Sequence, residues 1–144
     1  MRTEHVGNIS IMKDTDRIRL PHAVKEMLKT WAGQDICSKV SIEDVPHRVG
    51  QVITYFPLED VGCTDFSLAV IYAIVANSEN EAHFITYNCK ATRNNVFMCH
   101  VVEETQELLV IHSKQLACHL PCNLISTAIG DVVCFQATPI VFRN

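Results

Sequence analysis

Between His5 and Met12 the order Val6, Gly7, Asn8, Ile9, Ser10, Ile11 approximates an apolar–polar alternation, and a period of two predicts a strand. A charged turn is expected next, at Lys13-Asp14-Thr15-Asp16. The period then changes. Pro21 suits the first turn of a helix, Ala23, Val24, Met27, Leu28 and Trp31 recur at three-to-four spacing, and Gly33 offers a stop, so an amphipathic helix is expected over 20–32.

Five apolar stretches rich in Val, Ile, Phe and Tyr follow: Ile36 to Val45, Gln51 to Phe56, Phe66 to Ala76, His83 to Cys89 and Asn95 to Val102. Turn residues separate them, at Pro46, Gly50, Pro57, Gly62, Asn77-Ser78-Glu79-Asn80 and Arg93-Asn94-Asn95, which describes an antiparallel meander. The run from Ser67 to Ala76 lacks polar alternation and reads as a strand covered on both faces, with a buried helix as the alternative that periodicity leaves open. From Glu103 the pattern turns helical, with Leu108, Leu109, His112, Leu116 and His119 near one face and Pro121 as the stop. In the tail, Leu124, Ile125, Ala128 and Ile129 suit a short helix, and Ile140, Val141 and Phe142 a strand.

The chain of 144 residues fits one domain, since halves of roughly 70 residues would each bury a marginal core. A composition 48% hydrophobic and 19% charged is that of a packed globule. Net charge is −4 and no basic cluster is denser than Lys25/Lys29 or Arg17/Arg19, which argues against nucleic acid and leaves membrane contact only indirect. The longest apolar run, Leu68 to Ala76, is about half of what a membrane span needs. No signal-peptide apolar region follows Met1. Seven cysteines at irregular spacing fit a reducing compartment, so the expected location is cytoplasmic, with most thiols buried as small hydrophobes.

The order strand, helix, long meander, closing helix carries a resemblance. The run Asn94-Asn95-Val96-Phe97-Met98-Cys99-His100-Val101-Val102-Glu103-Glu104 resembles the last strand of phosphotyrosine-binding (PTB) domains, a branch of the pleckstrin-like superfold, in which F-x-C-H-V-F precedes acidic residues and the closing helix. Phe66 to Tyr72, the turn Asn77 to Asn80 and His83 to Thr86 are similar to the two preceding strands of that family, and Val6-Gly7-Asn8 stands where it often has Y-L-G. The resemblance spans roughly residues 5 to 120. It departs at Val102, which replaces the final Phe, and in a longer loop from Cys89 to Asn95.

The resemblance implies an α+β fold: a bent antiparallel sheet, sandwich or barrel, with an N-terminal helix and a closing C-terminal helix. It places a PTB-like domain at 1–121, with 122–144 either packed on that domain or forming part of its closing helix; 122–135 is the second candidate for that helix. It also implies a non-catalytic adaptor or scaffold that binds an extended N-P-x-Y-like cytoplasmic peptide by β-augmentation. In that register the receiving strand supplies Leu68, Val70, Ile71, Tyr72 and Ile74, and the facing helix supplies Leu109, His112, Ser113 and Leu116. Family members that hold phosphotyrosine place an arginine two positions before the cysteine; Phe97 stands there, leaving Lys90 and Arg93 on the loop as weak phosphate contacts. Recognition is therefore expected to be phosphate-independent.

No catalytic residue, metal or cofactor is expected. Cys99-His100, Cys118-His119 and Cys122 invite a zinc reading, but adjacent residues of a strand point to opposite faces and no C-x-x-C pair exists. A cysteine-dependent enzyme needs a thiol beside an oriented base, and no recognised signature supplies one. A structural subunit or homo-oligomer that packs Val132-Val133-Cys134-Phe135 and Ile140-Val141-Phe142 on another copy is the other class considered. Trp31 is expected to anchor the helix to the sheet, Tyr55, Tyr72 and Tyr87 to be half-buried in strands, and His100 to be a hydrogen-bonded strand residue.

Overall fold

The computed structural model describes residues 6–42, 44–56, 67–76, 81–94, 99–116, 122–129 and 132–139. The elements are β1 (Val6–Ile11), α1 (Asp14–Ile18), α2 (His22–Lys29), β2 (Asp35–Ile42), β3 (Val45–Arg48), β4 (Val52–Tyr55), β5 (Ser67–Ala76), β6 (Ala82–Asn94), β7 (Cys99–His112), β8 (Cys122–Ile129) and β9 (Val132–Pro139). A single 3-10 turn, Ser113–Gln115, follows β7. The described residues thus form a mostly antiparallel sheet with two short helices.

β5 is the strand around which the others gather. Its one edge pairs with β6 from Leu68↔Cys89 to Ala76↔Ala82. Its other edge is shared: Ser67 to Val70 pair with β4, and Ile74 to Ala76 pair with β2. The gap between them is filled by a turn, where Gly50 N–H donates to the Ile71 carbonyl at 2.8 Å and Ile71 N–H donates to the Gln51 carbonyl at 2.9 Å. Gly50 sits at φ +94°, a left-handed conformation that suits glycine.

The uninterrupted apolar sequence of β5 follows from two buried faces. Ala69, Ile71, Ile74 and Ala76 enter one core with Cys37, Val40, Ile42, Ile53, Tyr55, Phe84 and Ile111. Ala73 and Val75 enter the other, beneath α2, with Val24, Leu28, Ile36, Ile85 and Tyr87. Simple alternation would put Ile71 and Ile74 on opposite faces; a register shift between Ile71 and Ala73 reverses the parity and returns both to the same core.

The remaining strands extend this centre. β1 pairs β2, and β3 forms a hairpin with β2 in which Ile42 faces Val45 and Asp44 takes φ +68°. Pro46 fits β3 because β3 pairs only with β2 among the described residues, so no second ladder needs its missing N–H. β7 pairs β6, β9 pairs β7 at Val101↔Gln136 and Val102↔Phe135, and β8 pairs β9 along its whole length. β8 meets β4 at one pair, Val52↔Cys122, so no continuous ladder closes the sheet there.

The expected closing helix is corrected. Residues from Glu103 to His112 belong to strand β7, and of the second candidate segment, 122–135, residues 122–129 form β8 and 132–135 belong to β9. Leu108 and Val110 pack on one core and Leu109 and Ile111 on the other, a period of two that the helical spacing of Leu108, Leu109, His112 and Leu116 conceals. The N-terminal helix is α2, shorter than 20–32, and the charged turn at 13–16 opens the separate helix α1. The expected strand at 140–142 lies outside the described residues. Among the described residues no helix is long and apolar enough to cross a membrane.

Phe84 is fully buried, with its ring centroid 5.7 Å from that of His47. Phe84→Ala should therefore cost about 3–5 kcal/mol of stability, read as a lower urea midpoint at unchanged slope. A loss below about 1 kcal/mol would show that this core does not hold the sheet together.

Candidate functional site

Leu68, Val70, Ile71, Tyr72 and Ile74, expected to receive a peptide, stand in a strand with no open edge. Ile71 and Ile74 are buried in the core, Val70 is buried, and Leu68 and Tyr72 are half-buried against a small cluster with Val52 and Cys89. Pairing with β2, β4, the Gly50–Gln51 turn and β6 occupies both sides of β5 over most of its length, so an added strand finds no continuous edge there. The facing helix is likewise absent: Leu109 and His112 lie in β7, Ser113 starts the 3-10 turn, and Leu116 bridges to Tyr55. Lys90 and Arg93 belong to β6, in register opposite Glu103 and His100, and not to a loop. Cys118 and His119, weighed as zinc ligands, lie outside the described residues.

The segment that was expected to wall the groove instead ties β7 to β4. Phe56 N–H donates to the Gln115 carbonyl at 2.9 Å, Gln115 Nε2 donates to the Phe56 carbonyl at 3.2 Å, and His112 N–H donates to Gln115 Oε1 at 2.9 Å. Tyr55 Oη adds a bond to Asn88 Oδ1 at 2.8 Å.

Beside this tie lies a cluster of titratable and aromatic groups. Glu81 contacts His112 Nε2 at 3.1 Å and Lys114 Nζ at 3.4 Å, and the hydrogen bonds from these two, that from His112 contributing most, hold its carboxyl below the usual value. His112 Nδ1 accepts from the Lys114 N–H at 3.0 Å, which fixes the neutral ring's proton on Nε2, toward Glu81. Both ring nitrogens of His112 are thus committed, and neither is available as a base. The His83 ring lies between Trp31, 4.5 Å away, and His112, 4.8 Å away. His83 Nδ1 and Trp31 Nε1 are buried without hydrogen-bond partners. Burial, then the neighbouring His112, lowers the His83 pKa from its ordinary 6.5. Two thiols, Cys37 and Cys89, are buried and raised to about 11, chiefly by desolvation, so neither is a nucleophile at neutral pH.

One open edge is on β1. Among the described residues β1 pairs only with β2, leaving its outer backbone groups unpaired. On the same strand Ile9 and Ile11 are 43% and 58% exposed, two of the few large hydrophobic side chains left in solvent among the described residues, while Met12 turns into the core beneath α2. The register shifts twice along the strand, between Gly7 and Ser10 and between Ser10 and Ile11. Such irregularities are common at sheet edges, where they limit unspecific pairing. Sequence reading finds the strand but not its exposure, because a six-residue alternation does not reveal which face is left uncovered.

Acid should expose the His83 environment. Above 6.5 its ring is neutral in both states; as pH falls through that value the unfolded chain binds the proton first, so stability declines until the folded ring also protonates. Urea titrations at pH 7.5 and 5.5 should show a smaller loss for His83→Gln than for the parent chain; equal losses would contradict this origin. Brief iodoacetamide treatment of the native protein near neutral pH, followed by peptide mapping, should leave Cys37 and Cys89 unmodified, and rapid alkylation of either would contradict its burial.

No family model, no curated protein and no solved structure matches the chain.

Proposed function

We propose that the protein is a non-catalytic, cytoplasmic adaptor module that takes an extended peptide by β-augmentation on the outer edge of β1. The observation that carries this reading is the coincidence on one strand of unpaired backbone groups and exposed Ile9 and Ile11. Backbone hydrogen bonds supply affinity, and apolar side chains at alternate ligand positions cover the two isoleucines and supply selection. The mode is the one the PTB resemblance implies, moved to another strand. The family's N-P-x-Y groove is not carried over, since it needs an open β5 and a closing helix, whereas β5 is paired on both sides and 99–112 is a strand. Phosphate independence is retained, resting on Phe97 at the position of the family's arginine.

Selection from a random nonapeptide display library against the full chain should return sequences with apolar residues at alternate positions. The selected peptides should bind Ile9→Lys and Ile11→Lys at least about tenfold more weakly, as expected when a charge replaces an apolar contact in a desolvated interface. Any tyrosine-bearing peptide should bind equally with and without phosphate. Peptides that bind both variants at full strength, or a selection that returns no binder, would contradict the reading.

A further inference from the structure

The two helices border a depression of about 420 Å³, within the size range of small-ligand sites. Ile18, Leu20 and Leu28 give it an apolar lining, and Arg17, Lys25 and Lys29 give it charge of one sign; no carboxylate lines it. Helix α1 buries none of its residues, and Ile18 is 71% exposed, so the fold itself leaves this apolar surface uncovered. Leu28, at 7% exposure, closes the inner end by packing into the core beneath α2.

The charge is available for a ligand. Lys29 Nζ is held by Glu26 at 2.9 Å, with His22 on the same carboxylate at 3.7 Å. Among the described residues Arg17 and Lys25 have no ion-pair partner. The stretch from Lys13 to Lys29 holds five Lys and Arg residues against three carboxylates, in a chain whose net charge is −4, so the local sign is opposite to that of the whole.

We infer that the depression between α1 and α2 binds a small amphipathic anion, an organic carboxylate with an apolar chain. The carboxylate meets Arg17 and Lys25, the guanidinium offering paired donors that match its two oxygens, and the chain covers Ile18 and Leu20. An apolar floor without the cations would select neutral hydrophobes, and the cations without the floor would hold any anion weakly in water. Both together specify the class. The site is separate from the β1 edge and does not depend on its role.

Isothermal titration of the full chain with decanoate, below its micelle concentration, should give saturable one-site binding. Acetate, which lacks the chain, and decyltrimethylammonium, which reverses the charge, should each bind at least about tenfold more weakly, as should decanoate to the double variant Arg17→Glu, Lys25→Glu. Ile18→Ser, at an exposed position that leaves the fold intact by circular dichroism, should also weaken decanoate. Equal binding of the cationic amphiphile, undiminished affinity in the double variant, or no saturable binding of decanoate overturns the inference. Cosedimentation with phosphatidylglycerol vesicles in the absence of decanoate binding would also overturn it, and would reassign the patch to a membrane surface.

Discussion

The rest of the structure depends on the enclosure of β5. A ten-residue apolar strand carries a donor and an acceptor at every residue, and burying it is tolerable only if nearly all of these groups find partners. β6 supplies them on one side; β4, the Gly50–Gln51 turn and β2 share the other. Once the backbone is satisfied, the side chains of β5 stabilise both cores, and the register shift after Ile71 distributes them between the two. Helix α2 needs this face to bury Val24 and Leu28, and β7 needs β6, held in place by β5, to order Leu108 to Ile111.

Full occupation at the centre confines unpaired backbone to the periphery of the sheet. Binding modes that add a strand require unpaired backbone, and β1 offers it where β5 does not. The helices next to β1 in sequence concentrate positive charge and exposed apolar surface in an otherwise acidic chain. Opposite in character is the cluster of Glu81, His83, His112 and Trp31, whose groups are mostly engaged with one another and with the Lys114 backbone. It links β6, β7 and the turn that follows α2.

Much of the fold is legible in the sequence where the pattern is long or well bounded. The stretches at 36–45, 51–56, 66–76 and 83–89 correspond to strands, split at Asp44 in the first case and prolonged to Asn94 in the last, and α2 lies where the spacing of Val24 and Leu28 puts it. β7 is found only at its start, where Cys99 to Val102 fall in the expected stretch 95–102; its continuation is missed because Leu108-Leu109-Val110-Ile111 fits both periods, and the β-branched pair Val110-Ile111 is the local sign of a strand. The hairpin of β8 and β9 is missed although Gly130-Asp131 between two apolar runs is a two-residue turn signal. The candidate site suffers from a conflict already present in the chain. The uniform apolarity of Leu68 to Ala76 indicates a strand covered on both faces, which is the least suitable place to dock a peptide. Exposure of Ile9, Ile11 and Ile18 depends on long-range packing that local spacing does not encode, and although the spacing pairs Lys25 with Lys29, the approach of Arg17 to them depends on how α1 and α2 pack.

Native-state hydrogen exchange of the full chain, resolved by amide, tests the enclosure of β5 most directly. Amides from Leu68 to Ala76 should exchange only through global unfolding, with the same free energy on both sides of the register shift, while the outward amides of β1 exchange through local opening and slow when a strand-adding peptide is bound. Rapid exchange along one edge of β5, with uniform protection of β1, would contradict the enclosure and return the open edge to the centre of the sheet.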